Sequence, residues 1–227
     1  SEVRAAPDLK AFSAYLADEL SWHQALGKTP SCSTATLTPL PGSHAAPPPA
    51  RLPSVAFLLS APRSGSTLLR LMLAGHPALH CLPELNLLHH NRLGEWHEAR
   101  LARFGPDSGV VENLKRDLRV PEIDADEPIE LTYRRLQDAV APKLLIDKTP
   151  SYAKSLEVLL SAEERFESPV YVHLVRHPLA VVDSYVRQRF HKLIPAGDLD
   201  PHAAAEAVWT ARNTNLLALE ERVGSER

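Results

Sequence analysis

The stretch Ser54 to Glu84, SVAFLLSAPRSGSTLLRLMLAGHPALHCLPE, constrains the fold more than any other part of the chain. It opens with an apolar run, Val55 to Leu59, that reads as a buried strand. The run breaks at Ala61-Pro62-Arg63-Ser64-Gly65-Ser66-Thr67 and resumes with helical spacing at Leu68, Leu69, Leu71, Met72 and Leu73. A strand, a loop of small residues and a helix together make a seat for an anion. The first N–H groups of a helix lack partners, and the helix dipole points at the loop. The loop lacks the Gly-x-x-x-x-Gly-Lys-Ser/Thr pattern of nucleoside-triphosphate sites: Arg63 stands before the turn, where such a loop carries a lysine after its glycines. Taken alone, the stretch also admits a strand–turn–helix corner that binds nothing.

Downstream, helical patterns run from Leu87 through Phe104 and from Ile129 to Val140, with irregular, charged sequence between them. A second strand, Lys143 to Asp147, ends in the loop Lys148-Thr149-Pro150-Ser151-Tyr152. A helix from Leu156 to Phe166 leads to a third strand, Val170 to Val175. That strand ends in Arg176-His177-Pro178 and passes into a helix through Tyr185 and Phe190. The last helix spans Pro201 to Val223. Strands alternating with helices predict a three-layer α/β fold with a mainly parallel sheet. In such sheets ligands bind beyond the carboxyl ends of the strands. Here all three strands end in a cation, Arg63, Lys148 and Arg176, and that convergence is hard to explain as structure alone.

With 227 residues and 44% apolar content the chain can bury one good core, so one domain with appendages is expected. Residues 1–26 read as an amphipathic helix, with Leu9, Phe12, Leu16 and Leu20 on one stripe. Residues 27–53 are rich in Pro, Ser, Thr and Ala and read as a linker; neither Cys32 nor His44 has partners there at metal-ligand spacing. The domain then occupies residues 54–227. A net charge of -3 argues against a nucleic-acid partner held by a broad basic surface. Two cysteines, Cys32 and Cys81, suit a reducing compartment. With no apolar run near the roughly 20 residues of a membrane span and no leader pattern, a cytoplasmic protein is expected.

The motifs now carry a resemblance. SAPRSGSTLLRLMLAGHP is similar to the P-loop-like 5′-phosphosulfate loop of sulfotransferases that use 3′-phosphoadenosine 5′-phosphosulfate (PAPS). VHLVRHPLAVVDSYV is similar to their 3′-phosphate motif, an Arg followed eight positions later by a Ser, here Arg176 and Ser184. The resemblance covers Ser54 to the end of the chain and implies a transferase that moves a sulfuryl group without a metal. It assigns the backbone of Ser64, Gly65, Ser66 and Thr67, with the Ser66 and Thr67 hydroxyls, to the 5′-phosphate. Arg63 then neutralises charge on the phosphosulfate, and Lys148 reaches the leaving-group oxygen. Cytosolic small-molecule members carry a Lys-Thr-His segment whose His is the base; here Lys148-Thr149 is followed by Pro150, which cannot serve. The branch that includes tyrosylprotein sulfotransferases instead uses a Glu 21 positions beyond the loop Arg, which is Glu84 in this chain. His80, His89 and His90 are nearby reserves, and His173 and His177 read first as structural.

The phrases around Glu84, DKTPSYA, LVRHPLAVVDSYVRQRF and AAAEAVWTARNTNLL most resemble sulfotransferase domains embedded in bacterial polyketide synthases. That likeness implies bacterial secondary metabolism and a β-hydroxyacyl acceptor on a carrier domain, with carrier and thioesterase domains as neighbours. LKAFSAYLADEL, which looks like the last helix of a carrier domain, fits this arrangement. A free-standing enzyme acting on a lipid, carbohydrate or other metabolite is the alternative. A non-catalytic nucleotide-binding or scaffold fragment is the alternative of another class. Family members usually continue past the position of Arg227 with another strand and a basic loop, so the domain is expected to be incomplete at its C-terminus.

Overall fold

A computed structural model describes residues 51–105, 109–118, 122–192 and 199–224. The expected N-terminal helix and nearly all of the expected linker lie outside these residues. Leu52, assigned above to the end of the linker, instead sits in the core. Its N–H donates to the Arg165 carbonyl at 2.9 Å, and it bridges Phe166 in parallel fashion.

Four parallel strands, β1 (Ala56–Ser60), β2 (Leu79–Leu82), β3 (Leu144–Lys148) and β4 (Val170–Leu174), form one sheet in the order β2-β3-β1-β4. β1 is buried along its whole length, as a continuous apolar run in a central parallel strand must be. Its alternate residues face two cores. Phe57 and Leu59 enter the larger one, where Tyr133, Tyr152 and Phe166 meet the Phe57 ring edge-on and Tyr171 stacks on it. Ala56 and Leu58 enter the smaller one, beneath Leu69 and Leu73 of α1 (Ser66–Ala74). Leu68, Leu71 and Met72, on the other side of α1, are exposed. The larger core is covered by α4 (Ile129–Val140), α5 (Leu156–Arg165) and α7 (Pro201–Val223), so the sheet has helices on both faces.

The helices that follow β1 and β3 lie on opposite faces of the sheet, and the two strands are neighbours. In an open parallel sheet that arrangement opens a crevice at the strand ends. Register brings those ends level: Leu58 pairs with Lys148, Leu82 with Asp147 and Ser60 with Leu174.

Four expectations change. The four-residue strand β2 is formed by Leu79-His80-Cys81-Leu82, which has no strand-length apolar run of its own and is held by β3. The helix expected from Leu87 through Phe104 is broken. A short 3₁₀ turn covers Leu87–His89, and α2 (Leu93–Phe104) restarts where the Glu95 carboxylate accepts from the N–H groups of Asn91 and Arg92. The charged region read as irregular holds α3 (Val110–Leu118), with a Glu112–Lys115 pair on its surface. Pro178 opens α6 (Pro178–Arg187), which stops before Phe190; Phe190–His191–Lys192 is a separate 3₁₀ turn. Among the described residues no helix is long and apolar enough to cross a membrane.

Candidate active site

The loop between β1 and α1 opens on the start of a helix, a place that suits an anion. Gly65 caps α1 in the left-handed region, φ 96°, a conformation that costs an L-side chain about 1–2 kcal/mol. Its carbonyl accepts the first helical bond, from Leu69 N–H. The N–H groups just before Leu69 therefore lie ahead of the helical ladder and point out of the helix start. Among the described residues the enclosed Ser64 hydroxyl has no partner, nor does that of Ser60 at the end of β1. Small residues keep the loop tight, and no side chain caps the helix.

Arg63, also at positive φ, ties this loop to the region after β4. Its Nε donates to Ser184 Oγ at 3.1 Å, and its guanidinium lies 4.9 Å from the centre of the Phe190 ring. Arg176 Nη1 donates to the Arg63 carbonyl at 3.0 Å, while Trp209 Nε1 on α7 donates to the Arg176 carbonyl. The structure thus brings Arg63, Arg176 and Ser184 together. Among the described residues the Ser184 hydroxyl is bonded by Arg63 rather than by its own helical turn.

The strongest contact is on the other side of β1. Lys148, at the last position of β3 and fully buried, donates from Nζ to Glu84 Oε1 at 2.6 Å and to Thr67 Oγ1 at 3.4 Å. The Glu84 side chain is 11% exposed. Lys148 is therefore not a solvated loop residue but the bridge between the helix start and the carboxylate after β2. Burying an ion pair costs desolvation that geometry must offset, and such a pair is retained where its position matters. Pro150, the residue that takes the place of a His, opens a buried 3₁₀ turn, Pro150–Lys154.

The segment that carries Glu84 is held from behind by residues that spacing alone did not single out. Arg100 Nη2 on α2 donates to the carbonyls of Glu84 and Leu85, at 3.2 and 2.8 Å, and Trp96 Nε1 donates to the Leu85 carbonyl at 2.7 Å. Asn86 turns the chain at φ 60°, which Asn tolerates, and sends Nδ2 back to the Glu84 carbonyl. Its Oδ1 accepts from Ser151, and its N–H donates to Thr149. Beneath lies Asp147, wholly buried, which accepts from Tyr133, Tyr152 and Thr149 at 2.6, 3.0 and 2.6 Å. Burial pushes its carboxyl up from the usual range, and the three donors oppose that. Arg100 and Trp96 are i, i+4 on one helix face, but nothing in their spacing says that the face looks at a carbonyl rather than a core.

Of the histidines, His89 lies in this shell: its Nε2 is 3.0 Å from Ser151 Oγ. Burial, reinforced by His90 and the cations Lys154, Arg100 and Arg212, lowers its pKa to about 3. His90 is lowered to about 4, again chiefly by burial. His80 sits on β2, and His173 on β4 is 2.9 Å from Asn213 Oδ1. In the unfolded chain an imidazole titrates near 6.5, so from there down to about pH 3 the unfolded state binds a proton that folded His89 refuses. Stability is therefore complete above pH 6.5 and falls with pH through this window, at about 1.4 kcal/mol per pH unit for one such group. Melting temperatures at pH 7 and pH 5 should differ less in His89→Gln than in the wild type. An equal difference would mean that His89 is charged in the folded protein.

The profile of the sulfotransferase family matches residues 54–227. The chain belongs to that family. Among solved structures it is similar to the sulfotransferase domain from the curacin biosynthetic pathway, with 38% identity and a TM-score of 0.66, covering 78% of this chain and 66% of that one. It is likewise similar to the sulfotransferase domain from the Synechococcus PCC 7002 olefin synthase, at 37% identity and TM-score 0.65, covering 79% and 66%. Nodulation protein NoeE of Sinorhizobium fredii (strain NBRC 101917 / NGR234) is 34% identical over 139 residues, 59% of this chain and 31% of that protein. The chain thus spans just under two thirds of the two solved domains and about a third of NoeE.

Proposed function

We propose that the chain transfers a sulfuryl group from PAPS to an acceptor hydroxyl. The observation that carries this reading is the buried Lys148–Glu84 pair, 2.6 Å apart, beside a helix start open to an anion. The residues suit the donor chemically. The N–H groups of Gly65 to Thr67 and the enclosed Ser64 hydroxyl offer donors to a 5′-phosphate, and Arg63 adds charge, while the Ser64 N–H closes the turn on the Ala61 carbonyl. Arg176 and Ser184, joined through Arg63, offer a second phosphate site one loop away. PAPS supplies an activated sulfuryl group with adenosine 3′,5′-bisphosphate as the leaving group. The protein's part is positioning and charge stabilisation, as in phosphoryl transfer. Glu84 takes the acceptor proton, and Lys148 puts positive charge where the leaving oxygen becomes negative.

For the acceptor we infer a β-hydroxyacyl chain on a carrier domain, with carrier and thioesterase domains as partners. The resemblance to synthase-embedded domains supports this, as do the two related structures from the curacin pathway and an olefin synthase. Carrier-bound and free β-hydroxy acids offered in parallel, with PAPS consumption followed, separate it from a free-standing enzyme. The donor is tested first. Calorimetric titration should show binding of adenosine 3′,5′-bisphosphate without added metal and no comparable binding of ATP with Mg²⁺. The reverse preference would sink the sulfotransferase reading of this site.

A further inference from the structure

Arg63 occupies a backbone position that suits glycine better. Its φ of 67° lies in the left-handed region, as does the 96° of Gly65 two residues on, and only Gly65 escapes the steric cost of that conformation. A residue with a side chain stays there when its surroundings over-determine it, and such positions cluster where ligands are clamped. Three contacts hold Arg63, all from the stretch after β4. Arg176 Nη1 donates to the Arg63 carbonyl at 3.0 Å, and Arg63 Nε donates to Ser184 Oγ at 3.1 Å. The guanidinium itself lies over the Phe190 ring, 4.9 Å from its centre.

The far side of these contacts is firmly seated. Phe190 is 2% exposed and packs in a small core with Val182, Tyr185 and Ala205, its ring centre 5.6 Å from that of Tyr185. α7 carries Ala205 and also Trp209, whose Nε1 donates to the Arg176 carbonyl at 3.2 Å. One helix therefore backs both Phe190 and Arg176. The face of an aromatic ring attracts a guanidinium, more strongly as water is excluded. A hydroxyl that accepts from Nε fixes the rotation of the planar group about its stem. A long arginine ordered before its ligand arrives loses less freedom on binding, and that gain appears as affinity. Ser184 thus touches the loop arginine as well as belonging to the 3′-phosphate motif.

We propose that Phe190 and Ser184 are positioning residues for the Arg63 guanidinium, and that through Ser184 the 5′- and 3′-phosphate sites are coupled. This rests on the PAPS reading above, and the measurements keep the two separable. Adenosine 3′,5′-bisphosphate and adenosine 5′-phosphate are titrated by calorimetry into the wild-type 227-residue chain, Phe190→Leu, Phe190→Tyr and Ser184→Ala, each also in an Arg63→Met background. Phe190→Leu keeps an apolar side chain against Tyr185 but removes the ring face, so it should weaken the bisphosphate about fivefold. Phe190→Tyr, which restores a ring, should recover most of that loss. Ser184→Ala should weaken adenosine 5′-phosphate about tenfold, although that ligand has no 3′-phosphate for Ser184 to hold. In the Arg63→Met background the group being positioned is gone. There Phe190→Leu should leave bisphosphate affinity, and Ser184→Ala the adenosine 5′-phosphate affinity, within about twofold. Unchanged adenosine 5′-phosphate affinity in Ser184→Ala would confine Ser184 to the 3′-phosphate and overturn the coupling. Unchanged bisphosphate affinity in Phe190→Leu, or a loss of equal size with and without Arg63, would make Phe190 a structural residue and overturn its role. Failure of the wild type to bind the bisphosphate would overturn the donor reading and the positioning roles with it.

Discussion

Glu84→Gln is expected to lower kcat for sulfuryl transfer by about a thousandfold, within the range for loss of a general base, while the affinity for adenosine 3′,5′-bisphosphate stays within about threefold. The amide keeps the shape of the carboxylate and its oxygen still accepts from Lys148, so the loop before α1 keeps its place, while the buried ammonium loses its counter-charge and the variant should be less stable. It cannot accept the acceptor proton. Because Glu84 sits on the opposite side of β1 from Arg63, Arg176 and Ser184, its loss should separate chemistry from donor binding. Steady-state rates beside calorimetric affinity settle the matter. Transfer within tenfold of wild type would move the base to another group.

Lys148→Met is expected to lose both activity and stability. The ammonium is fully buried between Thr67 and Glu84, so its removal strands a carboxylate that is 11% exposed. Breaking one half of a buried pair costs about 3–5 kcal/mol. The companion change gives the sharper result. Adding Glu84→Gln to Lys148→Met removes the stranded charge, so the double variant should recover most of the lost stability and none of the activity. Denaturant midpoints for the two single variants and the double variant measure the coupling directly. If the double variant is as unstable as the sum of the single ones, the pair is not coupled in the way its 2.6 Å contact implies.

Much of the loop after β1 was legible from local pattern. The apolar run before Arg63, the small residues through Thr67 and the helical spacing after them specify a strand, a tight turn and a helix start, whatever else the chain does. Arg176 and Ser184 were legible as a motif, but not their partners: Arg63 reaches Ser184, and Arg176 reaches the Arg63 backbone. Those contacts join segments 121 and 113 residues apart, and no periodicity reports on them. The chain also hid β2. Leu79 to Leu82 is only four residues and includes a His and a Cys, so its strand character is supplied by pairing with β3 rather than by propensity. The break between Leu87–His89 and α2 went unseen for a related reason. Leucines at helical spacing continue through it, but Asn86 in the left-handed region and the Glu95 cap decide where the helix begins.

By itself the sequence determined three of the four strands and most of the helices, the parallel α/β class and the three cations at strand ends, because these follow from spacing within a few residues. Only the tertiary structure decided what those cations do. Parallel register put Lys148 level with the end of β1 and beside the segment after β2, and so paired it with Glu84. The same packing enclosed Arg212 Nε and the Tyr185 hydroxyl without partners among the described residues, although as residues on helical patterns they look like any surface arginine and core tyrosine. Burial and long-range pairing are properties of the folded chain, set by which faces the sheet turns toward its helices, and they are what convert a row of charges into a site.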